Sequence, residues 1–264
     1  MSISDLAVVA KSAKIGADVE IGPYAIIEDG VELGPRVRIW PHAYICNGTT
    51  IGEETVIHMG AVVGHIPQDL AFEGKKTYLH IGKRNVIREY ATIHRGTKEG
   101  SSTVIGDDCY LMAVSHVGHN CQLGNNVVVA NGALLAGYVT VEDSAFVSGN
   151  VVVHQFCRIG RLSMIGGFTG INKDVPPYML VRGPSVVRSV NLVGLRRAKL
   201  AREVIENIKE AYKILYSSNL NTSQAIEEMK KLKPSKEIDH LIGFVEGSKR
   251  GICKYKYNDT DFFE

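Results

Sequence analysis

The 264-residue sequence has no apolar run approaching the roughly twenty residues that a membrane-spanning helix needs. Its start, MSISDLAVVAKSAKIG, lacks the basic flank and continuous apolar stretch of a secretory leader, so the expected compartment is the cytoplasm. Cysteine is sparse. The five residues, at 46, 109, 121, 157 and 253, are odd in number and form no CxxC pair. That pattern argues against a disulfide framework and against a thiolate zinc site. The chain has a single tryptophan, and its net charge of +2 gives little overall field.

The charge that is present is uneven. Residues 1–176 hold 14 Lys/Arg against 17 Asp/Glu, and residues 177–264 hold 16 against 11. The stretch Arg182 to Arg202 carries six basic residues and no acid, a local field that suits phosphates or an acidic partner protein, or a solvated basic face.

The dominant signal is a six-residue repeat. Reading in sixes from Ile3, an aliphatic residue opens nearly every block up to Ile171, in one phase, with breaks only at 69–80 and 99–104. The second place is often Gly (16, 22, 34, 52, 106, 118, 124). The fourth is often Gly, Asn or Asp (Asp18, Gly30, Gly60, Asp108, Asn126, Asn150), types that tolerate positive φ at a sharp corner. The fifth is small, and Cys109, Cys121 and Cys157 occupy it, reading as buried packing residues. This period matches neither an amphipathic helix nor long meandering strands. It predicts short strands joined by tight corners, stacked so that each coil buries its neighbour's apolar face.

From residue 201 the period changes. Apolar positions 201, 204, 205, 208, 211, 212 and 215 follow helical spacing. Thr222 or Ser223 is expected to cap a second helix, and Ser235 a third with Ile238, Leu241, Ile242 and Val245 inward. Pro176-Pro177 marks the transition, and the expected division is a β-helix over 1–183 and a helical unit over 184–264.

The block pattern [LIV]-G-x-x-[small]-x resembles that of the hexapeptide-repeat transferases. IPQDL at 66–70, TIHRGT at 92–97, HVGHNC at 116–121, LAGYV at 135–139, VHQFC at 153–157 and DVPPY at 174–178 narrow it to the UDP-N-acetylglucosamine O-acyltransferase family. The resemblance spans nearly the whole chain. It implies an all-β left-handed parallel β-helix followed by a small α-helical C-terminal domain, a handedness opposite to the general crossover rule. It further implies transfer of an acyl chain from acyl carrier protein to the sugar's 3-position, at sites between the subunits of a homotrimer. No metal or dissociable cofactor is implied, and no nucleic acid.

By that resemblance His119 is the general base, a role that suits imidazole chemistry near neutrality. Gly137 offers its N–H to the developing oxyanion, and Asn120 stands beside His119. Gln68 and Asp69 match acceptor-sugar contacts, and His94, His116, His154 and Gln155 support substrate binding. Gly167 marks the acyl tail end, with Phe168 beside it able to shorten that space. Asn191 and Arg197 align with nucleotide-binding positions, with Arg196 beside them. The resemblance implies three blocks to a coil, and a coil of eighteen residues would stack His119, Gly137 and Gln155 in one column, each about 4.8 Å from the next.

Three positions depart from the family pattern. Asn120 replaces an Asp, so an amide oxygen can orient the imidazole but stabilises its cation less. Tyr138 replaces a common His and Ala71 a common Lys; neither is expected to touch His119. His42, His58, His65 and His80 read as packing or surface residues. A γ-carbonic-anhydrase-like metalloenzyme would need a wider His-x4-His pair than His116 and His119 provide. A later-acting N-acyltransferase of the same pathway would carry an extra N-terminal domain, whereas here the repeat starts at Ile3. A non-catalytic scaffold would not need His119 paired with Gly137.

Overall fold

The computed structural model describes residues 2–255, so the last residues of the expected helical unit 184–264 lie outside the description. A regular six-residue block forms a two-residue strand and a four-residue corner, and strands beside the two insertions lengthen to three or four residues. Tyr110–Leu111, His116–Val117 and Gln122–Leu123 are the three sides of one triangular coil. Stacked coils make three parallel sheets, here faces 1, 2 and 3 in that order, of 11, 9 and 8 strands. The step between coils is eighteen residues, as in His116 opposite Leu134 and Gln122 opposite Thr140.

The block-opening aliphatics point inward and are buried from Ile21 through Ile171. Ile3, in the first described coil, is 37% exposed because among the described residues it has a neighbouring coil on one side only. Glycine in the second place lets successive corners approach. A Cβ on Gly118 would meet the carbonyl carbon of Ala136 at 2.8 Å.

Positive φ at the fourth place is broader than the residue types foretold. Asp18, Asn126 and Gly132 adopt it, but so do Tyr24, Val114, Phe156 and Leu162. From Asp18 on, nearly every regular corner holds a left-handed residue, and stacking on both neighbours offsets the cost of about 1–2 kcal/mol in a β-branched residue such as Val114. The fifth place carries more than bulk. Thr55 Oγ1, Asn85 Nδ2, Cys109 Sγ and Cys121 Sγ each donate to the second-place carbonyl one coil on, at Gly82, Gly106, Gly124 and Ala136. The buried cysteines therefore also serve as weak donors, and burial pushes the thiols of Cys109 and Cys121 up to about 11 and about 12.

Both breaks in the repeat are excursions from the corner between faces 2 and 3. They lengthen the step to thirty residues (Val56 opposite Val86) and twenty-four (Val86 opposite Tyr110) without disturbing the stack. Strand pairing continues past Pro176-Pro177. Met179–Val181 adds to face 1 beside Met164–Ile165, and Val187–Val190 closes that face antiparallel.

Four helices follow: α1 Leu192–Arg197, α2 Arg202–Ser217, α3 Thr222–Met229 and α4 Lys236–Glu246. α2 buries Ile205, Ile208 and Ala211, and α4 buries Ile238, Leu241, Ile242 and Val245 behind its Ser235 cap. The cap of α3 is Asn221, not Thr222 or Ser223. Its side chain accepts from the Gln224 N–H while Gln224 reaches back to the Asn221 N–H, a reciprocal pair one residue earlier than expected. The Arg158 guanidinium lies 4.0 Å from the Phe244 ring centroid, and His240 Nε2 lies 3.0 Å from Glu142, tying α4 to face 3. Among the described residues no helix is long and apolar enough to cross a membrane.

Candidate active site

His119 occupies the third place of the block opened by Val117, on the corner leading from face 2 to face 3. Tyr138 N–H donates to the His119 carbonyl at 2.9 Å, and Phe156 N–H to the Gly137 carbonyl at 3.2 Å, so His119, Gly137 and Gln155 stack along one edge. Gly137 lies against the imidazole. A Cβ there would come within 2.5 Å of Nε2 and Cε1, a contact no side chain can make.

The Gly137 N–H has no partner among the described residues, as is true of the His119 and Gln155 N–H groups on the same corner; what sets it apart is the imidazole packed against it. On the corner between faces 3 and 1, third-place N–H groups are taken up by the third-place side chain one coil on. Lys83 N–H donates to Asp107, Asp107 N–H to Asn125 and Asn125 N–H to Asp143, at 2.8, 2.7 and 2.8 Å. The equivalent partner for Gly137 is Gln155, which is exposed and makes no such bond. A backbone donor beside an imidazole, left for an oxygen outside the chain, is what an oxyanion site requires.

The long excursion after Gly64 folds back over this corner and brings Asp69 Oδ2 to 3.7 Å from His119 Nε2. Asp69 Oδ1 accepts from the Ala71 N–H, which stiffens the turn. The excursion is anchored where Gln68 N–H donates to His94 Nδ1 at 3.3 Å. His94 is buried and packs edge-on to His116, with ring centroids 4.8 Å apart; His65 lies 6.3 Å from His94 on the other side. Burial, reinforced by the neighbouring His116, His65 and His119, lowers the His94 imidazole to about 4. Burial, then His119, also lowers that of His116, whose Nδ1 lies 2.8 Å from Thr92 Oγ1. These rings meet by faces and edges; among the described residues no three His, Cys, Asp or Glu side chains are arranged to hold a metal ion.

On the other side of His119, Nδ1 lies 2.7 Å from Thr97 Oγ1 and 3.1 Å from Asn120 Oδ1. Asn120 is held in turn, its N–H donating to Thr103 Oγ1 at 2.8 Å. Tyr138 does touch His119, against expectation. The two rings meet at 89° with centroids 5.3 Å apart, and Tyr138 stacks on Phe156 at 4.9 Å. The reason is the left-handed fourth place, which aims Tyr138 along the edge instead of away from it.

One chain brings His119, Asn120, Gly137, Gln155, Asp69, Gln68, His94 and His116 to one edge. His154 stands on that edge too, exposed, with Nδ1 3.1 Å from the Gln155 carbonyl. Gly167 does not; it lies on the corner between faces 1 and 2, beside the 85%-exposed Phe168. Nor does Asn191, which is buried at the corner between faces 3 and 1. There its Nδ2 donates to the Leu162 carbonyl and its Oδ1 caps α1 through the Gly194 N–H. Arg196 and Arg197 follow in the last turn of that helix. Thr97, Thr92 and Thr103 were not singled out from the sequence. Thr97 stands twenty-two residues from His119 across the second break, where the eighteen-residue period does not point.

A solenoid of hexapeptide coils that presents an imidazole against a free backbone N–H defines an acyltransferase of the hexapeptide-repeat class. Its left-handed parallel β-helix is the fold of its structural neighbours. The bacterial transferase hexapeptide model matches residues 12–47, 34–65 and 102–137, and the model for UDP-N-acetylglucosamine O-acyltransferase, domain 2, matches residues 174–253. The acyl-[acyl-carrier-protein]--UDP-N-acetylglucosamine O-acyltransferase of Alkalilimnicola ehrlichii is 48% identical over 96% of this chain and 99% of its own length. That of Anaeromyxobacter dehalogenans is 45% identical over 96% of this chain and all of its own. The crystal structure of a UDP-N-acetylglucosamine acyltransferase from Bacteroides fragilis superposes with a TM-score of 0.92 at 42% identity, covering 94% of this chain and 98% of that one. The chain belongs to the UDP-N-acetylglucosamine O-acyltransferase family and is an enzyme of that type.

Proposed function

We propose that this enzyme moves a (3-hydroxy)acyl group from acyl carrier protein to the 3-position of UDP-N-acetylglucosamine or its 3-amino analogue, the first step of lipid A biosynthesis. The observation that carries the site assignment is the unclaimed Gly137 N–H lying against the His119 ring. His119 Nε2 takes the proton from the acceptor as its oxygen or nitrogen attacks the thioester carbonyl. Gly137 N–H receives the resulting oxyanion. The C–S bond then breaks, and the imidazolium returns its proton to the departing thiolate. Asp69, 3.7 Å from Nε2, holds the sugar in line, with Gln68, His94, His116, His154 and Gln155 around it.

The working unit in this reading is a homotrimer with sites between subunits, acting in the cytoplasm. Its support is twofold. Gly167 lies on another corner of the prism, and Arg196 and Arg197 lie on α1, all away from the corner of His119, which fits a neighbouring copy supplying the acyl-tail end and the nucleotide contacts. The outer side of face 2 also carries two exposed apolar pairs, Val8 with Ile26 and Leu134 with Val152, that a second copy would cover. The basic stretch 182–202, which spans the 183/184 division, would then hold the nucleotide and the acidic carrier protein.

The test is an acyl-transfer assay with 3-hydroxyacyl carrier proteins of several chain lengths, offered with UDP-N-acetylglucosamine and, separately, its 3-amino analogue. Transfer to either sugar is expected, with His119→Ala inactive but still assembled. Near-normal turnover of His119→Ala would remove that residue from the mechanism, and no transfer by a folded wild-type trimer would overturn the reading.

A further inference from the structure

The second break in the repeat delivers two contacts to the far side of the catalytic imidazole. Thr97 N–H donates to Asn120 Oδ1 at 3.0 Å, which fixes that amide with its oxygen, an obligate acceptor, toward the ring. His119 Nδ1 then faces this oxygen at 3.1 Å and Thr97 Oγ1 at 2.7 Å. An unprotonated Nδ1 would set two lone pairs against each other at the Asn120 contact. A protonated Nδ1 donates to both oxygens. Thr97 is buried; with Nδ1–H as donor its hydroxyl accepts there, and its own proton is left to bond outside the contacts described.

We propose that Thr97 is a positioning residue for His119. Its N–H orients Asn120 and its hydroxyl accepts from Nδ1–H, so that the proton resides on Nδ1 and the Nε2 lone pair faces the acceptor. This rests on His119 being the base. Where a carboxylate follows the histidine, the anion alone would hold Nδ1–H. Here the neutral Asn120 has only dipoles to offer, and the second oxygen of Thr97 completes the acceptor pair. A regular eighteen-residue coil would put Thr97 four residues out of reach. The added turn at 98–101, closed by Ser101 N–H to the Lys98 carbonyl, brings it under His119.

The test pairs Thr97→Val, which keeps shape and backbone N–H but removes the hydroxyl, with Thr97→Ser, which restores it. Thr97→Val should lower kcat about ten- to hundredfold with KM for both substrates within about threefold, and Thr97→Ser should recover to within about threefold of wild type. Added to His119→Ala, Thr97→Val should cause no further loss, because it acts only through that ring. Nitrogen-15 spectra of the wild-type enzyme, with the His119 signals assigned by their absence from His119→Ala, should show the neutral ring protonated on Nδ1. Unchanged kcat in Thr97→Val, or a neutral ring protonated on Nε2, would overturn the positioning role while leaving His119 as the base. Activity retained by His119→Ala would instead sink the base assignment.

Discussion

Gly137 lies so close to the His119 ring that a single methyl group at 137 would meet Nε2 and Cε1 at 2.5 Å. The imidazole and the backbone donor thus share one packed edge, with no room for a side chain between them. Gly137→Ala is expected to push the ring away from the acceptor and cut kcat by about a hundredfold or more, since a displacement near 1 Å at a reacting centre costs that much. The solenoid should be unaffected, because Gly137 has φ in the ordinary region and its carbonyl still accepts from Phe156. A variant with wild-type kcat would show that the ring does not work from this position.

The coil was readable because its causes are local and repeated. One aliphatic, one glycine and one small residue recur every six positions, and the column of His119, Gly137 and Gln155 follows by counting. What escaped lies where counting fails. Thr97 reaches His119 across an irregular insertion, and Asn191 is spent on a helix cap that only the tertiary fold creates; Asp69, on a loop with no period, was named through the family resemblance and not by counting. The corner positions misled in another way. Val114 and Leu162 look unsuited to positive φ, yet the coil imposes it on them. Tyr138 was not expected to touch His119, yet its left-handed corner sets its ring edge-on to the imidazole.

Acid should act on the site through His94. Its Nδ1 accepts the Gln68 N–H and its ring is buried, so the folded protein holds it neutral down to about 4, against about 6.5 unfolded. Between those values the unfolded chain binds the extra proton, so stability rises with pH across the window and falls as pH drops through it. The contribution present above pH 6.5 is at most about 3 kcal/mol. Melting temperature followed from pH 7 to 4 should decline less steeply in His94→Gln than in wild type. Protonation also removes the acceptor for Gln68, so that amide should lose hydrogen-exchange protection over the same range. Equal slopes in the two proteins would exclude His94 as the source.

Asn120→Asp should increase turnover. The carboxylate would keep the acceptor role toward Thr97 N–H and Nδ1 while adding a charge that favours the imidazolium formed during transfer. A rise in kcat of about three- to tenfold is expected, with the sugar KM little changed. A fall would mean that the neutral amide is itself required, and would shift attention to the edge-on Tyr138 ring.

The coil holding the two insertions together depends on Asn85, fully buried in the fifth place. Its Nδ2 donates to the Gly106 carbonyl at 2.9 Å and its Oδ1 accepts the Cys109 N–H at 2.8 Å, joining the coil before the second insertion to the one after it. Alanine, the usual small residue at such places, would leave both backbone groups buried without partners. At about 1–2 kcal/mol each, Asn85→Ala should cost roughly 2–4 kcal/mol, read as a lowered chemical-denaturation midpoint. Asn85→Thr would keep one donor, as Thr55 does one coil earlier, and should recover part of the loss. A loss below about 0.5 kcal/mol in the alanine variant would mean that water or a shifted corner satisfies those groups, and that the fifth place needs only to be small.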